Sequence, residues 1–371
     1  MLFRVSTLAL LALSFVSTPA LSGPAALSQF KIIRPLFRAL PAKAAPQRFF
    51  VPGGPLVQWN GSFVDHTGQT INYTMVGTDP ATTKGITTVP VVIVPIKMVY
   101  GALNGNSSFD PLTTYSPNGG SVVHDLIVSP LLNGRIAFVQ GGTNVGTTQY
   151  IDAYQRANFW SLVQNKPKYH VLLGKPTVLP EVTIKVKPGL GLVETNPFGT
   201  QPIGTMEIDV FDQHIQSLVK NLPQITPNTL PLFVTTNVYL TEGSGVEVCC
   251  IGGYHSAIGS QPNGQTYAYA TYATEPGVFS QDVSAFSHEI GEWMDDPFVD
   301  NSVNCTDNTS MENGDPIEND ANYGDYPYLV NGSTYNLQSL VFIGYFGAPP
   351  STSLNSWLAF QNDKSTVCPG Q

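Results

Sequence analysis

The chain has 371 residues, a formal net charge of -9 and only 12% charged residues. An acidic, sparsely charged chain disfavours a nucleic-acid or anionic-membrane partner. Its 34 glycines, 30 prolines, 16 tyrosines and 19 phenylalanines suit a strand-rich and loop-rich globular protein better than a helical one, and the length is ample for a large core in one domain or two.

The chain opens Met1-Leu2-Phe3-Arg4, runs apolar from Leu8 to Val16 and reaches small residues at Ala20-Leu21-Ser22. This is the order of a secretory signal peptide, residues 1–22, with cleavage before Gly23. The apolar run is too short to span a bilayer and no later stretch replaces it, so no transmembrane segment is expected and the mature protein reads as secreted. From Met1 to Val64 there is no Asp or Glu, while Lys31, Arg34, Arg38, Lys43 and Arg48 alternate with Pro35, Pro41 and Pro46. Residues 23–50 therefore read as a disordered leader, with a pro-segment as the functional alternative. Residues 51–371 form the expected globular domain.

Residues 56–76, with Trp59, Phe63, Ile71 and Tyr73 around glycine turns, predict a hairpin. Thr88 to Tyr100 is a nearly continuous β-branched run that predicts a central strand buried on both faces, with Pro90 and Pro95 marking ends or a bend. Apolar spacing predicts helices over 147–164 and 206–220, the second with Glu207 and Asp209 at its N-terminal end. Strands follow at 232–241 and 266–274, the latter interleaving Tyr267, Tyr269 and Tyr272 with small residues. Cys249, Cys250, Cys305 and Cys368 suit disulfides in an oxidising compartment, with Cys249 and Cys250 each expected to reach one of the two distant cysteines.

The next segment carries the chemistry. Phe286, Ile290 and Trp293 recur at helical spacing, Ser280 or Asp282 can cap the start, and Pro297 discourages continuation, which predicts a short, half-buried helix. On it His288 and Glu292 stand at i and i+4 and project from adjacent turns of one face, where they can grip one cation. His288-Glu289-x-x-Glu292 resembles the zincin signature with its second His replaced by Glu. That likeness implies His288 and Glu292 as metal ligands and Glu289 as catalytic base. Exchanging an imidazole for a carboxylate lowers the site's positive charge and hence its power to acidify water. A solvated helix face is the plain alternative.

Eleven of the 26 acidic residues fall between Glu289 and Asp325, a density that repels itself unless cations hold it together. Glu312-Asn313-Gly314-Asp315 is the best source of a further ligand, because Gly permits a sharp turn that lets carboxylates face inward. The order Cys249-Cys250-Ile251-Gly252-Gly253-Tyr254-His255, then His288-Glu289-x-x-Glu292 with Asp296-Pro297, then Glu312-x-Gly314-Asp315, resembles the plant exordium or phosphate-induced proteins and related secreted microbial proteins. The likeness covers about residues 245–320 and implies extracellular growth or wall processes. His255 enters only as a motif position, and a turn His beside Tyr254 reads as structural.

These observations predict an α+β protein with a mixed β-sheet and a zincin-like metal-binding helix. The expected function is a secreted metal-dependent hydrolase, a peptidase-like enzyme acting on a peptide or extracellular polymer. Glu289 would be catalytic, and His288, Glu292, Asp315 and Glu312 would supply the ligands of a divalent metal, zinc before calcium. The alternative is a non-catalytic secreted or wall-associated protein whose cation orders the acidic segment.

Overall fold

The computed structural model describes residues 31–32, 37–44, 54–196, 199–243, 248–275, 280–307 and 309–370. The expected signal peptide and much of the expected leader lie outside these residues. The fold is α+β with mixed sheets. The main sheet contains β1 (Phe37–Ala39), β2 (Val91–Tyr100), β3 (Thr177–Val178), β4 (Leu230–Thr236), β5 (Gly253–Ile258) and β6 (Gln265–Tyr272), in the spatial order β3-β2-β4-β6-β5-β1. Pairing is parallel throughout this path except between β5 and β6.

The β-branched run is the central strand that its composition predicts. Along β2, Val91 and Ile93 face one apolar core while Val92, Val94, Ile96 and Met98 face the other, as burial on both faces requires. Pro90 precedes the strand, but Pro95 lies inside it. Pairing with β4 stops at Pro95, which has no N–H to give, and residues 182–186 take up pairing from Ile96 onward.

The helices that frame the site are α1 (Tyr150–Asn158), α2 (Ile208–Asn221) and α3 (Ser284–Asp295), and a shorter one spans Val122–Val128. The helix expected over 147–164 is interrupted at Phe159, and a further turn follows at Trp160–Val163. At the start of α2 the Glu207 carboxylate accepts from the backbone N–H groups of Asp209 at 3.2 Å and Val210 at 2.8 Å, satisfying donors that a helix terminus leaves open. The strand expected over 232–241 is two strands. The chain breaks at Asn237, whose φ is 52°, and Val238–Thr241 joins a separate five-stranded sheet.

Period-2 patterning in β6 places α3. Ala268, Ala270 and Tyr272 join the core that contains Phe286, Ile290 and Trp293 of α3, whereas Tyr267 and Tyr269 face the core built on Phe211 of α2. The two alanines let the helix approach the sheet closely, and Trp293 Nε1 donates to Thr266 Oγ1 at 2.9 Å. Two expectations for this helix are corrected. It is buried on every face rather than half-buried, because the loop at 312–318, the strand Ser333–Gln338 and β1 cover the side expected to meet water. Neither Ser280 nor Asp282 caps it; the N-cap is Val283, with no side-chain cap, since the Asp282 carboxylate is taken up by Val283 N–H and Asn336.

The disulfide pairing is also corrected. Cys249 bonds to its neighbour Cys250, and Cys305 bonds to Cys368. The second pair is brought together because Thr306 N–H donates to Pro369 O at 2.9 Å, tying the C-terminal segment beside the 305 loop. Within the expected leader, Phe37–Ala39 forms the edge strand β1, and Lys43 bridges to Ile258. Among the described residues no helix is long and apolar enough to cross a membrane.

Candidate metal centre

His288 and Glu292 lie one turn apart on α3, with His288 Nε2 2.9 Å from Glu292 Oε1. The loop after Glu312 closes over them. Gly314 N–H donates to Glu292 Oε1 at 3.1 Å, and a Cβ at position 314 would stand 2.4 Å from His288 Nδ1, so only glycine lets the backbone pass there. Asp315 follows at the start of a short 3-10 turn and reaches back to place its Oδ1 3.6 Å from His288 Nε2. Two ligands about 2.1 Å from one ion at the tetrahedral angle stand about 3.4 Å apart, and the two observed distances bracket that value. The ligand atoms of His288, Glu292 and Asp315 all lie within 4.8 Å of one another.

The His288 tautomer follows from its partners. Gln338 Nε2 donates to Gly314 O at 3.2 Å, which leaves Gln338 Oε1 to accept from His288 Nδ1 at 2.6 Å. With its proton on Nδ1, the ring directs the Nε2 lone pair at the two carboxylates. A ring nitrogen held by an amide oxygen while the other faces an acidic cluster is the arrangement of a metal-ligating histidine. Phe37 stacks on the same ring at 3.7 Å between centroids, and its N–H donates to Glu318 Oε1 at 3.0 Å.

A second histidine belongs to the cluster. His255 on β5 is fully buried, not in a turn, and its Nε2 donates to the carbonyl oxygen of Asp296 at 3.1 Å. Its Nδ1 therefore carries the lone pair, 3.4 Å from Glu289 Oε2 and 3.7 Å from Glu292 Oε2. Glu289 falls in this group rather than with His288 and Asp315. Glu312 also faces His255, at 3.8 Å from Nε2. Of the four expected ligands, three converge on His288 and the fourth, Glu312, sits beside His255. The sequence does contain a signal for His255, the Gly-Gly-Tyr-His order, but nothing local marks Gln338 or Phe37, which reach the site from distant strands.

Burial dominates the electrostatics. It pushes the carboxyls of Glu289 and Glu312 well above the usual range, with Glu292 as the main repelling neighbour of each. Asp315 is raised for the same two reasons. Burial also opposes ionisation of Glu292, and its carboxyl falls below the usual range only with positive charge beside it, on His288 foremost and then on His255. His255 is pushed down to about 4 by burial and stays neutral. Among the described residues, Glu289, Glu292 and Asp315 form no ion pair with a lysine or arginine. Arg38 acts on Asp315 from a distance; buried acids and lone-pair nitrogens that are otherwise uncompensated cost several kcal/mol, and a divalent cation would supply the missing charge. The residues present fit such an ion.

Comparison with known proteins gives no counterpart: no family model, no curated protein and no solved structure matches the chain.

Proposed function

We propose that this protein is a secreted divalent-metal-dependent hydrolase, zincin-like in its helix, with the ion held by His288, Glu292 and Asp315 and with polypeptide as its substrate class. The observation that carries the reading is the His288 ring, fixed by Gln338 so that its Nε2 lone pair meets two carboxylates. A mixed nitrogen and oxygen donor set suits zinc, whereas calcium takes oxygens alone and more of them. Three protein ligands are the complement of a catalytic rather than a structural zinc site. Asp315 supports access, since its side chain is 19% exposed while His288 and Glu292 are at 0% and 1%. When bound, the ion supplies Lewis-acid polarisation of a carbonyl. The substrate class is supported by β1, an extended segment that adds to the edge of β5 and sets Phe37 against His288.

A second reading, a cation that only orders the acidic segment, is favoured by the cover that Phe37 and Glu318 form over the ring. Elemental analysis and peptide-hydrolysis assays separate the two. The hydrolase reading expects zinc or a similar transition metal, loss of the ion at His288 and of turnover in His288→Ala, and about 10-fold to 100-fold weaker binding in Gln338→Ala. Asp300→Ala, outside the ligand set, should match the parent. Calcium without turnover selects the structural reading, and absence of any ion from metal-supplemented protein refutes both.

A further inference from the structure

We propose a second divalent-cation site formed by His255, Glu289 and Glu292, sharing Glu292 with the first as a bridging carboxylate. The proposal rests on the first ion being held at His288, and makes the centre dinuclear.

The two oxygens of Glu292 face different imidazoles. Oε1 lies 2.9 Å from His288 Nε2, and Oε2 lies 3.7 Å from His255 Nδ1. A carboxylate serving one ion has no reason to be flanked by two lone-pair nitrogens, whereas a bridging one requires a ligand on each side. His255 is fixed for this role without any amide ambiguity: a backbone carbonyl can only accept, so Nε2 bears the proton and Nδ1 is the free donor atom. That nitrogen has no hydrogen-bond partner, and neither do both oxygens of Glu289 and Oε2 of Glu292, though His255, Glu289 and Glu292 are all at most 1% exposed. Buried polar atoms in native proteins are rarely left unsatisfied. Here they converge on one another, with His255 Nδ1 3.4 Å from Glu289 Oε2, the spacing of two ligands on one tetrahedral ion.

The surrounding backbone is shaped for this. A Cβ at Gly253 on β5 would stand 2.6 Å from Glu289 Cγ, so the glycine leaves room for the Glu289 side chain between helix and sheet. Two-metal hydrolytic sites hold their ions about 3.5–4 Å apart, a span that one carboxylate bridges. Glu289 is then a ligand and not the base that the zincin likeness assigns. The ions that fit are those accepting imidazole with carboxylate: zinc, cobalt(II) or manganese(II).

The full chain, stripped with chelator and reloaded with manganese(II), tests this. Two ions per chain and a spin-coupled electron paramagnetic resonance spectrum are expected in the parent. His255→Ala should lose one ion and the coupling while keeping the ion at His288, and Glu292→Ala should lose both. If a variant fails to fold, the parent's stoichiometry and spectrum decide alone. One ion with an uncoupled six-line spectrum, lost in His288→Ala and retained in His255→Ala, would overturn the second site and leave the first standing. No ion at all would overturn both.

Discussion

Asp282 illustrates how a single buried acid sets a pH dependence away from the candidate metal centre. It sits just before α3 with φ 36°, and its carboxylate accepts from Val283 N–H and from the backbone and side chain of Asn336. Burial outweighs these bonds and, with Asp125 nearby, pushes its pKa up to about 6 from the usual 3.8. Asp325, reached through Ser284, is the other acid facing this point. Because the folded chain holds this proton more tightly than the unfolded chain, the contribution is most favourable at low pH. It declines as pH rises from near 4 to near 6 and is flat above, a change of about 3 kcal/mol. Urea midpoints measured from pH 4 to 7 should fall less in Asp282→Asn than in the parent. Parallel curves would refute the assignment. Absolute stabilities are not comparable, since an amide cannot accept at both positions.

At the scale of elements, the informative piece is β1. Its pairing puts Phe37 opposite Gly253 and Ala39 opposite His255, so a strand from the N-terminal tract roofs the cluster. Phe37 is 2% exposed and lies flat on the His288 ring. Truncating a buried phenylalanine removes roughly 3 kcal/mol of packing, enough to raise local opening by about 100-fold. Phe37→Ala should therefore release the bound ion to a chelator far faster than the parent, with little change in the ligands themselves. Equal release rates would show that the ion escapes by the Asp315 side and that β1 is not a cover. The Pro-rich composition of the tract suggested disorder because it lacks the apolar alternation of a strand; β1 is held by its neighbours' open edge and by Glu318, neither of which is local.

For the whole molecule, the sheet lies between two large cores, one built on α3 and the other on α2, and a third cluster contains Phe63, Tyr73, Ile343, Cys305 and Cys368. The Cys305–Cys368 bridge closes a loop of 63 residues that contains the later part of the acidic segment, from Asp307 to Asp325. Restricting so long a loop in the unfolded chain stabilises the fold by about 4 kcal/mol in the chain-entropy account. Cys368→Ser should lower the unfolding free energy by an amount of that order. A loss below about 1 kcal/mol would place the stabilisation of this end in its apolar cluster instead.

The sequence by itself determined the elements whose patterns are local. Alternation and β-branching made β2 and β6 recognisable, three-to-four spacing made α2 and α3 recognisable, and the i, i+4 pair on α3 marked His288 and Glu292 as one grip, because helix geometry alone puts them together. Gly314 made Asp315 a legible candidate for the same reason, a turn property readable from one residue. Tertiary structure decided what lies far along the chain. It buried α3 on all sides, turned Glu289 toward His255, paired Cys250 with Cys249 rather than with a distant cysteine, and brought Gln338 to the edge and Phe37 to the face of one imidazole. No periodicity carries that information. Which strand edge β1 joins and which carbonyl orients His255 depend on packing between segments more than 200 and about 40 residues apart, and burial then raises the carboxyls of Glu289, Glu312 and Asp315.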